Sequence, residues 1–204
     1  MNTKESLFLS AFDLFLKYGI KRVSMDDICR KIGISKKTCY NVIANKEELV
    51  LNVLDSHLSK DEKEILTILE QSGNAIDAMV NISKHVLKFL DKMTPSLIFD
   101  LKKYHPEAWK KIEERHFPFI ENAILDNLKR GQKEGLYRKD LNPVILSKLY
   151  VLQSIAISDP EHFSTSDFTK VNLYKEMIRY HLYGIISEEG KQLINQQHKN
   201  FFTI

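Results

Sequence analysis

Six of the seven residues from Ser35 to Asn41 carry a hydroxyl, an ammonium or an amide: Ser35, Lys36, Lys37, Thr38, Tyr40 and Asn41. Lysine donates to guanine edges or to phosphate, and an asparagine amide matches the donor and acceptor of an adenine edge. The Thr38 and Tyr40 hydroxyls suit phosphate oxygens, contacts that position a partner without reading it. Ser24 and Lys46 fall at expected helix N-termini, where free N–H groups and the helix dipole favour anions. The plain alternative for Ser24 is helix capping, and for the whole set a solvated surface.

The charge around these residues is uneven. Between Lys17 and Lys46 stand eight lysines and arginines and two aspartates, Asp26 and Asp27, so that window carries +6 in a chain whose net charge is +3. A local positive field of this kind attracts phosphates.

Other chemistries are thinly represented. Glu113 and His116 form an E-x-x-H pair, a spacing used in di-iron helical bundles, but the second copy that such a site needs is absent from the sequence. Seven histidines are scattered, with no H-E-x-x-H and no metal-ligand spacing. No glycine-rich phosphate loop and no nucleophile elbow occur. The expectation is a protein with no catalytic residues, no metal and no cofactor. Cys29 and Cys39 cannot form a disulfide framework; core packing is expected, with a redox pair as the alternative. Met93, Phe99, Tyr104, Trp109 and Phe117 form an aromatic-rich stretch, readable as an effector pocket or as core.

The elements that position the polar run are helical. Leu7, Ala11, Leu14, Phe15 and Tyr18 recur at helical spacing, and Gly19 closes that helix. Ser24 begins a capping box with Asp27, and Met25, Ile28, Cys29 and Ile32 follow at i, i+3, i+4, i+7. Gly33 ends the second helix, Ile34 plugs the turn and Ser35 caps a third. That third helix is predicted to run toward Asn45, with Cys39, Val42 and Ile43 inward. Asn45 caps a fourth, with Glu48 as its box partner. Two short helices about a glycine turn, the second with a basic outer face, make a helix-turn-helix within 21–48. Further helices are expected at 46–58, 61–71, 75–92, 96–134 (broken or kinked by Pro106 and Pro118) and 143–157. A loop at 158–166 precedes a last helix at 167–187. No apolar stretch reaches the length of a membrane span, so a cytoplasmic protein is expected.

The run Met25-Asp26-Asp27-Ile28-Cys29-Arg30-Lys31-Ile32-Gly33-Ile34-Ser35-Lys36-Lys37-Thr38-Cys39-Tyr40, followed by Lys46-Glu47-Glu48-Leu49, resembles the TetR family of bacterial regulators. Gly131–Pro143 resembles that family's entry into its dimer-forming helices. The chain departs from the family in having Val42 and Ile43 for a usual aromatic pair, Lys37 for a small residue, Cys39 for leucine and Cys29 for alanine.

The resemblance implies an all-α protein of about nine helices. A helix-turn-helix head at 1–48 precedes a helical effector-binding and dimerisation body at 49–204. It implies a homodimer formed through the helices near 143–157 and 167–187. Double-stranded DNA with a palindromic operator is the expected partner, and a small-molecule effector the expected signal for release of a repressor. A helical-bundle enzyme and a head used for protein contact are the rival classes.

Overall fold

Nothing between Lys46 and Gln71 breaks a helix: the stretch holds no proline and no glycine, and the computed structural model carries it as one 26-residue helix. That continuity corrects the separate helices expected at 46–58 and 61–71. The polar residues around 59–64 look like a linker in sequence but are good helix formers, and the Ser59 hydroxyl bonds back to the Asp55 carbonyl at 2.8 Å. The structure describes residues 3–94, 96–159, 162–163, 168–198 and 201.

In chain order the helices are α1 (Thr3–Tyr18), α2 (Met25–Ile32), α3 (Lys36–Tyr40), α4 (Lys46–Gln71), α5 (Ala75–Leu90), α6 (Ser96–Tyr104), α7 (Pro106–Lys111), α8 (Phe117–Lys133), α9 (Pro143–Ser158), α10 (Lys170–Ile185) and α11 (Glu188–Leu193). Wider π-helical turns follow α7 at Ile112–His116 and α11 at Ile194–His198. Among the described residues there are thus eleven α-helices rather than about nine, and no strand. The expected long helix at 96–134 is divided because Pro106, with no N–H to donate, sits where a new first turn begins. The helix expected as the last is followed by α11, capped by Ser187, whose hydroxyl accepts from Gly190 N. Part of the loop expected at 158–166, and the helix start expected at 167, lie outside the described residues.

The chain forms two compact units. One comprises residues 1–61 and 92–116, the other 62–91 and 117–204. In the first, Leu7, Ala11 and Phe15 of α1, Ile28 and Cys29 of α2, Cys39 of α3 and Leu49, Val50 and Val53 of α4 are buried. In the second, Ile76, Met79 and Val80 of α5, Ile124 and Leu128 of α8, Tyr150 and Val151 of α9, and Tyr174, Ile178 and Leu182 of α10 make the core. Tyr137 fills the space beside Gly131, where an added Cβ would lie 2.0 Å from the ring. Its hydroxyl donates to the Ala75 carbonyl at 3.0 Å. No helix among the described residues is long and apolar enough to cross a membrane.

Candidate nucleic-acid interface

α2 is fixed at both ends by its own sequence. The Ser24 hydroxyl accepts from Asp27 N at 3.2 Å, and the Asp27 carboxylate accepts from Ser24 N at 2.9 Å, completing the capping box. The Ser24 hydroxyl also donates to the Asp27 carboxylate at 2.6 Å, and this bond, followed by that from the Ser24 N–H, holds the carboxyl below its usual range. At the other end Gly33 has φ +73°, a left-handed backbone that a glycine adopts without strain. Its N–H and that of Ile34 bond to carbonyls of the helix just ended. Such a tight reversal fixes the angle at which α3 leaves.

α3 is shorter than its pattern suggests. Ser35 caps it, accepting from Thr38 N at 3.1 Å, but the helix ends at Tyr40 and Asn41 is its C-terminal cap. Val42 N bonds to the Cys39 carbonyl at 3.0 Å, a tightened closing turn. The β-branched pair Val42–Ile43 is a poor continuation for a helix, and Ile43 turns into the core. Asn45 then caps α4 through Glu48 N at 2.9 Å, while the Glu48 carboxylate accepts from Ala44 N rather than from the N–H of Asn45.

Cys39 is the buried residue of α3, and Lys36, Lys37, Thr38, Tyr40 and Asn41 are exposed, as are Ser24 and Ser35. Lys37 has no side-chain partner among the described residues. Lys36 is paired with Asp26 at 2.6 Å, which holds its ammonium above its ordinary pKa, chiefly through that hydrogen bond. Both members are exposed, so the pair is weak and readily exchanged for another anion. The Thr38 and Ser35 hydroxyls lie 2.9 Å apart. Lys46 differs from the rest of the expected set: its Nζ donates to the Ile20 carbonyl at 2.6 Å, and burial lowers its pKa. It braces the α1–α2 connection.

That connection is also held from a place the sequence does not advertise. Asp100 on α6 is 4% exposed and accepts from Lys21 N at 2.9 Å. An added Cβ on Gly19, at φ +82°, would lie 2.9 Å from an Asp100 carboxylate oxygen. Lys21 Nζ donates to the Tyr104 hydroxyl at 3.0 Å, a bond that raises the lysine pKa and lowers that of the tyrosine. The partners are 79 and 83 residues apart, and no periodicity or local motif signals them.

The aromatic residues expected to line a pocket are placed unevenly. Met93 is buried, Trp109 half-buried, and Phe99 and Tyr104 meet edge-to-face at 6.2 Å but are exposed. Phe117 packs against the core of the second unit. Trp109 Nε1 donates to Glu113 at 2.7 Å, and His116 Nε2 lies 3.7 Å from Asp61. Among the described residues no three His, Cys, Asp or Glu side chains are grouped to hold a metal. Cys29 and Cys39 are both buried free thiols. Burial above all, and then the hydrogen bond to Cys29, pushes the Cys39 thiol up to about 12, far from the thiolate that oxidation and exchange require.

Comparison with known proteins gives a similar picture. Residues 3–53 match the sequence profile of bacterial regulatory proteins of the tetR family. The uncharacterized HTH-type transcriptional regulator YvaF of Bacillus subtilis (strain 168) is 24% identical over 167 residues, 81% of this chain and 87% of that one. A TetR-family transcriptional regulator from Agrobacterium tumefaciens superposes with a TM-score of 0.73 at 14% identity, covering 90% of this chain and 97% of the other. A regulator from Saccharomonospora viridis solved in complex with choline gives 0.67 at 14% identity, covering 91% and 98%.

Proposed function

We propose that the chain is a TetR-family DNA-binding transcription regulator, a homodimeric repressor released from a palindromic operator by a small molecule. The observation that carries this reading is the outward face of α3. Lys36, Lys37, Thr38, Tyr40 and Asn41 are exposed on a helix whose entry is fixed by Gly33 and the Ser35 cap. A recognition helix reads base edges with its N-terminal residues, so Lys36 and Lys37 are proposed to contact bases or phosphates. Asn41 at the C-terminal cap is proposed to reach an adenine, and Thr38, Tyr40, Ser24 and Ser35 to bond phosphates. Lys46 is proposed to contribute by holding the turn that carries Ser24.

The dimer is proposed to form through α9 and α10, which leave Val144, Ile145, Leu149, Leu152, Tyr180 and Tyr183 exposed. A contiguous apolar face on a soluble protein marks an interaction site, and the commonest arrangement is a two-fold dimer. Two heads would then reach successive major grooves about one helical turn apart. The choline complex of the Saccharomonospora neighbour supports an effector of small size. Met93 and Trp109, the shielded members of the aromatic set, are the stronger candidates to meet it, ahead of the outward Phe99 and Tyr104. An effector acts only by binding one arrangement of the dimer better than the other. A cytoplasmic location follows from a DNA partner.

Mobility shift of a duplex from the region upstream of the chain's own gene tests the reading. Retardation at low ionic strength, lost steeply with added salt, is the expected result. A dimer that ignores this and every other duplex at low salt removes it.

A further inference from the structure

Two lysines stand side by side at the start of α3, and their surroundings differ. Lys37 has no side-chain partner among the described residues, whereas Lys36 Nζ lies 2.6 Å from an Asp26 carboxylate oxygen on α2. The pair ties the two helices of the helix-turn-helix together across the Gly33 turn. Both side chains are open to solvent, Lys36 at 63% and Asp26 at 45% exposure, so the contact sits where a partner of α3 would meet it.

Capping does not account for this carboxylate. Between Lys17 and Lys46 the acids are Asp26 and Asp27. Asp27 is engaged in the capping box, accepting from the Ser24 N–H at 2.9 Å and from its hydroxyl at 2.6 Å. Among the described residues the side-chain partner of Asp26 is Lys36. A lysine ammonium carries three donors, and the carboxylate takes one of them. Two remain, the number that a lysine uses on the O6 and N7 acceptors of a guanine. A guanine edge bears no net charge and tolerates the carboxylate beside it. A phosphate is repelled by that carboxylate. The pair is therefore compatible with reading a base and opposed to neutralising a phosphate.

We propose that Asp26 is a specificity-determining residue: by holding Lys36 it keeps that lysine off phosphates, so that sequence-independent binding is weakened while two donors stay free for a guanine edge. The inference rests on the reading of the head as duplex-binding. Phosphate contacts carry no sequence information and supply most of the affinity for arbitrary duplexes. Removing one cation from that set lowers binding to every sequence and leaves the same cation for the sequence that offers it acceptors. Lys37, without a carboxylate beside it, is under no such restraint. The rival role for Asp26 is that of an acid in the first turn of α2, stabilising the helix through its dipole.

The test is binding of the full-length protein to a fluorescent mixed-sequence duplex of about 40 base pairs across a potassium chloride series, a length that gives room for two half-sites. Wild type is compared with Asp26→Asn, with Lys36→Gln and with the double variant Asp26→Asn/Lys36→Gln. The Ser24–Asp27 box is untouched in all of them, and thermal melts check the fold. Asp26→Asn should tighten binding by up to about fivefold, the strength of an exposed ion pair. Its slope of log affinity against log salt should steepen by about 0.9, the count for one further phosphate neutralised. With Lys36→Gln already present, Asp26→Asn should no longer steepen the slope. A slope unmoved by Asp26→Asn, or weaker binding by that variant, overturns the proposal and leaves Asp26 its role in the helix. Equal steepening with and without Lys36 overturns it in favour of a general repulsion of the duplex by Asp26. A wild type that binds no duplex at low salt overturns the reading of the head itself.

Discussion

The outer face of α3 and the outer faces of α9 and α10 are both open, and they are open in opposite ways. α3 turns one cysteine inward and shows two ammoniums, two hydroxyls and an amide. α9 is apolar on both sides: Tyr150 and Val151 are buried, while Ile145 is 56% and Leu152 62% exposed. A helix that is apolar all round belongs between two layers, and the described residues supply only one of them. A row of donors suits a partner recognised by charge and hydrogen bonds, and a greasy face suits one matched by buried area. On the proposed reading, the contrast assigns a salt-sensitive partner to α3 and a salt-insensitive one to α9 and α10.

The largest effect that sharpens this contrast is the response to salt. With about six to ten phosphate contacts, raising salt from about 50 to 200 mM should weaken duplex binding by about 10³- to 10⁵-fold. Self-association through α9 and α10, followed by sedimentation, should barely move. Equal salt dependence of the two would erase the distinction.

Next in size is Leu152→Asp, which places an unpaired carboxylate in the apolar face. We expect dimerisation to weaken by about 3 kcal/mol, roughly 100-fold or more, because a buried charge without a partner carries a large desolvation penalty. Sedimentation should show monomer at concentrations where wild type is a dimer; an unmoved dimer would place the interface elsewhere.

A comparable effect comes from inside the second unit. His181 is buried, its ring meets that of Tyr150 at 5.1 Å, and its Nε2 has no protein partner among the described residues. Burial lowers its pKa from 6.5 to about 4. The unfolded chain therefore takes up a proton that the folded one refuses between those values. Stability is complete above about pH 6.5, falls as the pH drops toward 4, and levels off below it, a loss of up to about 3 kcal/mol. Denaturant melts across that range should show the fall, and His181→Phe should flatten it. Identical pH profiles for the two proteins would discharge His181 of that role.

The smallest changes separate reading from folding at the head. Asn41→Ala should reduce affinity for the operator by about 1–3 kcal/mol with thermal stability unchanged. Ser24→Ala should lower stability by about 1 kcal/mol through removal of the cap, as well as weakening duplex binding through its lost phosphate bond. Asn41→Ala destabilising the fold, or Ser24→Ala leaving stability unmoved, would contradict the roles given to the two residues.

How much of this is legible in the sequence depends on how local the cause is. The Ser24–Asp27 box, Gly33 and the Ser35 cap act over three or four residues, and each is visible as a residue type at a fixed offset. The end of α3 at Tyr40 is less visible, because helical spacing continues through Val42 and Ile43 after the hydrogen bonding has tightened. The join across residues 58–61 reads falsely as a break, because polarity resembles a linker even where no glycine or proline confirms one. α11 escapes a sequence reading because a six-residue helix barely shows a period. The Asp100–Lys21 and Lys21–Tyr104 contacts bridge about 80 residues, and a single sequence has no signal for such pairings. For the same reason the sequence does not show that Tyr104 meets Lys21.

The central claim is that the outward side of α3 is laid against duplex DNA. The most direct measurement is duplex binding by the dimer carrying Lys37→Ala, Tyr40→Phe and Asn41→Ala together, at low salt and with its fold checked by circular dichroism. The account predicts a folded dimer that has lost specific retention of its upstream duplex. A folded triple variant that still retains that duplex as wild type does would contradict it.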